Sequence, residues 1–300
     1  MLTECADYAT VRALHVATRR WLTRLVFYTF AVLVGVPLAF SEVLLRGASQ
    51  APSPPPPGYR AGSVVSEGLR LRTWTRRGSD ARPAVVIVHG LGDSLESYRG
   101  RADVFGRRGN TVLLLDLRAH GASEGRYTTL GGHEREDVRA AMDALRQEGR
   151  ATAGLVLMGH SMGAVAVLRA AAGQTDVRAV IAEAPYDTYR ENVFHHARLL
   201  YGLPRWVPII PITIAIAEWR AGFRADDVDA VKASASFAAP LLAIADGADS
   251  RMPEEVVRRV ADAHAGPHQL WVAPGAEHVG AILHPDYWRV VLSFLDGSGA

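Results

Sequence analysis

Gly159-His160-Ser161-Met162-Gly163 constrains this chain more than any other stretch, because an apolar run, Leu155 to Met158, leads into it and an Ala-rich helical stretch, Ala164 to Ala172, leads out. A strand that turns into a helix within one pentapeptide crowds its own backbone. The flanking positions therefore need glycine, while the central serine is held up, exposed and strained. This is the sequence form of a nucleophile elbow, with Ser161 as the nucleophile. A second Gly-x-Ser-x-Gly, Gly121 to Gly125, follows the polar Asp116 to His120 and precedes Arg126-Tyr127-Thr128-Thr129. With neither a buried strand before it nor a helix after it, Ser123 reads as a loop serine in a Gly-rich turn.

At 300 residues, 49% hydrophobic and 21% charged, the chain holds one large α/β domain plus an accessory segment and is not disordered. Its net charge is +2, and no basic cluster interleaves with aromatics, so it lacks a nucleic-acid footprint. Cys5 is the only cysteine, which excludes an internal disulfide and a thiolate metal site. It precedes the apolar N-terminal segment, the wrong order for a lipid-modified cysteine, and reads as a solvated terminal residue.

That segment has 17 uncharged residues, Leu25 to Ser41, between Arg24 and Glu42. As a helix it reaches roughly 25 Å against a hydrocarbon core of about 30 Å, a short span helped by Trp21, Tyr28 and Phe40 near its ends. The expected organisation is a cytoplasmic segment (1–24), a membrane anchor helix (25–45), a Pro-rich linker (46–58) and a catalytic domain (59–300). A signal peptide cleaved near Ala39 or Ser41 and a helix docked on the domain are the alternatives. The linker, Pro52 to Gly58, is expected to hold the anchor away from the domain. Arg12, Arg19, Arg20 and Arg24 precede the apolar run and only Arg46 closely follows it. The charge bias puts the N-terminus in the cytoplasm and the rest of a single-pass protein outside the membrane.

From Tyr59 on, short apolar runs suited to buried parallel strands (84–88, 111–115, 155–158, 177–182, 241–245) alternate with helical segments (97–108, 135–148, 162–172, 253–264, 285–295). Leu69 to Thr75 alternates like a half-exposed edge strand. The fold class is α/β, a mostly parallel doubly wound sheet with helices on both faces. Residues 188–232 are too long for a crossover and read as an apolar lid inserted in the sheet, with Trp206 and Ile210 as substrate contacts. A helical subdomain with its own small core is the alternative. His195 and His196 in this insertion have no carboxylate at a fixed offset and read as structural or solvated.

His89-Gly90-Leu91-Gly92-Asp93-Ser94 after one strand, Asp116 to Ser123 after the next, and the Gly131, Glu134, Asp137 spacing before a helix occur in order with the elbow. On these motifs the chain resembles the α/β-hydrolase superfamily, specifically bacterial serine esterases of the lysophospholipase-like group, from about Ala61 to Leu295. The resemblance implies a Ser-acid-His order along the chain. Asp249, followed by x-x-Met-Pro, matches the family's acid turn, although Asp246-Gly247 stands where the family has His-Gly; Asp246 and Asp187 remain alternatives. His278, in the loop behind the last strand, matches the triad histidine, whereas His264, His268 and His284 read as structural. The backbone N–H groups of Leu91 and Met162 are the implied oxyanion donors. No metal-binding or dinucleotide motif is present, so no metal or cofactor is expected.

The expected activity is hydrolysis of lipophilic carboxylic esters through an acyl-enzyme. Peptidase or thioesterase action with the same triad, and a non-catalytic scaffold on this fold, are the alternatives. The expected partners are a small-molecule or lipid ester and, through the N-terminal helix, a membrane.

Overall fold

The computed structural model describes residues 2–300, with side chains from Arg12 onward, so the side chain of Cys5 lies outside the described residues. Helix α1 (Leu2–Phe30) runs through a wider π turn (Ala31–Gly35) into α2 (Val36–Leu45). The Val36 N–H donates to the Ala31 carbonyl, five residues back. Pro37 follows, with no N–H to give, and the wider turn ahead of it makes room for its ring.

The body of the chain then alternates: β1 (Ala48–Ser49), β2 (Arg60–Ser66), β3 (Leu69–Arg76), β4 (Ala84–Val88), α3 (Arg99–Arg107), β5 (Val112–Leu115), β6 (His120–Gly121), α4 (Glu134–Gln147), β7 (Leu155–His160), α5 (Met162–Ala171) and β8 (Val177–Glu183). The insertion folds as α6 (Tyr189–Tyr201), α7 (Ile209–Ala221) and α8 (Ala230–Ser234), and the domain closes with β9 (Leu241–Asp246), α9 (Glu254–Asp262), β10 (His268–Ala273) and α10 (Tyr287–Ser298).

Eight strands form one sheet in the order β10-β9-β8-β7-β4-β5-β3-β2, parallel from β10 to β5 and antiparallel from there to β2. β4, β5, β7 and β9 are buried at every residue, which is why they read as continuous apolar runs rather than alternating ones. Apolar clusters fill both faces. Helix α4 turns Val138, Ala141, Met142 and Leu145 inward at helical spacing, whereas α5 is buried all round.

Two expectations are corrected. Leu69 to Thr75 is not an edge strand: β2 pairs outside it, and Leu71, Arg72, Thr73 and Trp74 are buried. β2 itself is the edge, and its sequence, Arg-Ala-Gly-Ser-Val-Val-Ser, buries only Val64 and Ser66, too little alternation to announce a strand. The Pro-rich stretch, in turn, does not hold the N-terminal helix away from the domain. Pro37, Ser41 and Leu45, at successive i, i+4 positions, are buried, and α2 packs along α7. β1 pairs with β6, the Thr128 N–H donates to the Leu45 carbonyl, and Arg72 donates to the Ser53 carbonyl at 2.8 Å. These partners are remote in sequence, so composition cannot disclose them.

The loop after β5 is anchored by charge. The Arg118 guanidinium donates to Asp137 on α4 at 2.6 Å and to Glu67 at 2.9 Å, with Asp137 fully buried. Burial works against ionisation of Asp137, and Arg118 is the main group opposing that effect. Removing one partner of such a pair strands the other, so Asp137→Ala should lower stability by about 3 kcal/mol in a urea titration. A loss within about 0.5 kcal/mol would show that Glu67 alone suffices for Arg118.

Candidate active site

Leu91, Ser161, Asp249 and His278 come from the loops behind β4, β7, β9 and β10, all at the carboxyl ends of parallel strands, where open α/β sheets hold their crevices. Ser161 has φ 52° and ψ −116°, a conformation that L-residues avoid. The glycines around it answer the crowding: a Cβ on Gly159 would stand 2.3 Å from the Gly163 carbonyl oxygen, and one on Gly163 would stand 2.4 Å from that of His89. The Ser161 N–H donates to the Glu183 carbonyl at 2.8 Å, tying the turn to β8.

His278 Nδ1 pairs with Asp249 Oδ2 at 2.6 Å, which leaves Nε2 as the free ring nitrogen. The other oxygen, Asp249 Oδ1, accepts the backbone N–H groups of Arg251 at 2.7 Å and Met252 at 3.0 Å. Burial opposes ionisation of Asp249, but the His278 bond and these two N–H donors outweigh it and hold the carboxyl below its usual range. Asp246 does something else: it accepts the N–H groups of Val279 at 3.1 Å and Ala281 at 2.6 Å, bracketing the loop that carries His278. Asp187 is engaged by Arg259 at 2.7 Å and by the Thr188 N–H at 2.7 Å. Of the three carboxylates weighed from sequence, Asp249 is the one joined to His278.

Two further histidines, His89 and His160, are buried near the nucleophile turn. His89 Nε2 accepts the Leu117 N–H at 3.0 Å, so Nδ1 carries the proton and donates to the Gly90 carbonyl at 2.7 Å. In a trans peptide the N–H points opposite to the carbonyl, so fixing the Gly90 carbonyl fixes the direction of the Leu91 N–H. The Met162 N–H lies in the first turn of α5, where helix N–H groups have no partner within the helix. The His160 ring lies against that of His278, centroids 5.0 Å apart. Burial first, then a neighbouring imidazole, pushes both His89 and His160 down to about 3, so both are neutral at physiological pH.

His160, Asp246 and His278 each bring one potential metal ligand within 4.8 Å of the others. His278 Nδ1 is already taken by Asp249, and both Asp246 oxygens accept backbone N–H groups. The cluster is a hydrogen-bonded bracket and a poor donor set for a metal.

A cavity of about 400 Å³ opens over Ser161, with Leu91, Met162 and His278 in its lining. Of the two residues expected as substrate contacts, Ile210 lines it. Trp206 does not: it lies in the turn before α7 and is 83% exposed. Sequence reasoning missed His196 and Tyr186, and it missed α2, whose Phe40, Val43 and Leu44 also line the cavity. His196 stands three residues after Val193, and that helical spacing was the available signal. Ser123 is fully committed elsewhere, donating to the Asp116 carbonyl at 2.7 Å and accepting the Arg72 N–H at 2.8 Å. His264 bonds the carbonyls of Ser234 and Ala239. His284 packs edge-on to Trp271, and His195 bonds the Ser250 carbonyl at 2.8 Å.

A family profile described as serine aminopeptidase, S33, matches residues 79–214, a stretch that includes Leu91 and Ser161 and ends before Asp249. The uncharacterized protein YqkD of Bacillus subtilis is 28% identical over 221 residues, 72% of each chain. Among solved structures, the Pyrococcus furiosus esterase Pf2001 superposes with a TM-score of 0.67 at 23% identity, covering 86% of this chain and 98% of that one. Est1E from Butyrivibrio proteoclasticus, solved with ferulic acid bound, superposes with a TM-score of 0.60 at 19% identity, covering 79% and 100%. The chain has the α/β-hydrolase fold that the sequence motifs imply.

Asp246 offers a pH test of the bracket. Burial, opposed by its N–H donors and reinforced by Asp249, raises its carboxyl to about 6. The folded state therefore binds a proton that the unfolded chain has already released between about pH 4 and 6, so this group's contribution to stability falls as pH rises through that window. Asp246→Asn lacks this linkage. Relative to the variant, the wild type should lose on the order of 2 kcal/mol between pH 4 and pH 7 in paired urea titrations. A constant difference would show that Asp246 does not titrate in this range.

Proposed function

We propose that the chain is a serine hydrolase that cleaves carboxylic esters through an acyl-enzyme intermediate. The observation that carries this reading is the 2.6 Å Asp249–His278 pair, whose histidine lines the same cavity as a serine held at positive φ. Ser161 attacks the ester carbonyl, and His278 takes its proton and later delivers it to the leaving alkoxide. Asp249 holds the imidazole in one tautomer and stabilises its charged form. The N–H groups of Leu91 and Met162 receive the developing oxyanion, the latter aided by the helix N-terminus. His160, neutral and pressed against His278, adds no repulsion when that ring becomes positive.

The cavity lining, with Leu130, Val193, Ala197 and Ile210 around the polar centre, favours a lipophilic acyl group. Residues 188–232 act as its lid. Helix Arg12–Leu45 is long and apolar enough to cross a membrane. Its Arg-rich start supports a single-pass anchor with the N-terminus in the cytoplasm and the catalytic domain outside.

A peptidase reading has one observation in its favour, the serine aminopeptidase description of the matching profile. Holding a free α-amino group takes a carboxylate near the serine, and Asp93 lines the cavity. If it serves that purpose, Asp93→Asn should impair hydrolysis of an aminoacyl p-nitroanilide far more than that of a p-nitrophenyl ester. Comparing the two substrates on the unmodified protein separates the readings.

Ser161→Ala and His278→Ala should each lower kcat for p-nitrophenyl acetate by about 10⁴-fold, with Asp249→Asn close behind. Fluorophosphonate labelling should disappear in Ser161→Ala and persist in Ser123→Ala, which loses about 1–2 kcal/mol of stability through its two buried bonds. An unmodified protein that fails to label under conditions that label related hydrolases would favour a non-catalytic scaffold. For topology, protease added to intact spheroplasts should digest the catalytic domain, and full protection until lysis would reverse the orientation.

A further inference from the structure

The catalytic domain does not close its own pocket. Phe40, Val43 and Leu44 of α2, on one helix face at i, i+3 and i+4, supply part of the lining, and Phe40 meets Tyr201 of α6 edge-on with ring centroids 5.0 Å apart. The neighbouring face of α2 is fastened to the domain: Arg220 of α7 donates to Ser41 Oγ at 2.9 Å and also to the Glu42 carboxylate. The N-terminal helix is thus rigidly registered with the pocket.

Upstream of this dock the helix stands clear of the domain, with Trp21, Leu22, Leu25, Val26, Phe27 and Phe30 all 46–66% exposed. The uncharged run between Arg24 and Glu42 is about 25 Å long as a helix, somewhat short of the ~30 Å hydrocarbon core it would cross. Glu42 and its partner Arg220 then mark one edge of that core. The helix that carries Arg220, α7, also presents an open apolar groove lined by Ile212, Ile216 and Trp219. Trp219 is 81% exposed and Trp206, just before α7, is 83% exposed. Indole side chains favour the membrane–water interface, and so apolar a face marks a site of association. The exposed stem, the charge pair at its end and the two exposed tryptophans are separate features, and each favours contact with a membrane.

We infer that the pocket mouth opens into the bilayer interface with α2 as one wall, and that the substrate is a carboxylic ester whose acyl chain lies in the membrane and passes along Val43 and Phe40 to Ser161. This rests on the ester-hydrolase reading above. It makes Phe40 and Val43 determinants of chain-length preference and makes the N-terminal helix part of the binding site.

The test uses the full chain reconstituted in phosphatidylcholine vesicles, and its first readout is the ratio of kcat/KM for p-nitrophenyl octanoate to that for the acetate. Val43→Asp, at an exposed position of the mouth, and Phe40→Ser should each lower this ratio at least ten-fold. Val65→Asp, at an exposed position on the edge strand β2, should leave it unchanged. If Val43→Asp and Phe40→Ser still react with a fluorophosphonate and the ratio does not move, the inference is overturned while the hydrolase reading stands. If the unmodified protein does not react at all, the hydrolase reading fails and takes this one with it. A second readout is independent of α2: in vesicles of dibrominated phosphatidylcholine, tryptophan emission should be quenched more in the unmodified protein than in Trp206→Phe/Trp219→Phe. Equal quenching would overturn immersion of this face. If a dimer in detergent were also dissociated by Trp219→Glu, the groove would belong to a second copy of the chain.

Discussion

Helix α5 starts so close to the end of β4 that Gly163 and the His89 carbonyl leave no room for even a methyl group between them. That approach sets the rest of the site. It brings the first turn of the helix, with its unpartnered N–H groups, beside the loop that carries Leu91, and it forces Ser161 into the backbone conformation that lifts its side chain into the cavity. A looser crossing would separate the Leu91 and Met162 N–H groups proposed to receive the oxyanion and relax the serine together. Strain of this kind persists only where surrounding contacts over-determine it. Here they are the fully buried α5 and the Ser161 N–H bond to β8.

Electrostatics around His278 follow from burial more than from charge pairing. One carboxylate, Asp249, is kept ionised by three donors, and a second, Asp246, is inclined to hold its proton because burial dominates. Burial also strips His89 and His160 of charge. The His278 ring thus has Asp249 as its bonded anionic partner and the neutral ring of His160 against it. In that setting the imidazolium is stabilised by one group whose position is fixed by backbone N–H bonds.

Much of this was legible in the sequence. Parallel central strands are buried on both faces and so appear as uninterrupted apolar runs, and the elbow, the His89-Gly90 loop and the Asp116 turn are local backbone requirements that leave local signatures. The choice among Asp187, Asp246 and Asp249 came from the resemblance. The three differ physically only in which backbone amides and guanidinium groups reach them, and sequence does not display that. What escaped was non-local. β2 has almost no alternation, the Pro-rich stretch finds its partners in β6 and Arg72, and the place of α2 in the pocket depends on packing against a helix at the other end of the insertion. Trp206 misled because apolar character was read as inward-facing, whereas the turn before α7 turns it out.

The bond between Arg220 and Glu42 joins residues 178 positions apart, so the wall formed by α2 is in place only after the insertion has been synthesised and folded. A segment made well before the insertion is thus among the last to reach its final contacts, and for that interval α2 must exist without them. Closing so long a loop costs more entropy than any neighbouring contact in the sheet, which makes this joint a late event in assembly. The order of synthesis and the order of completion run in opposite directions, and the pocket is finished by a segment made before the insertion that holds it.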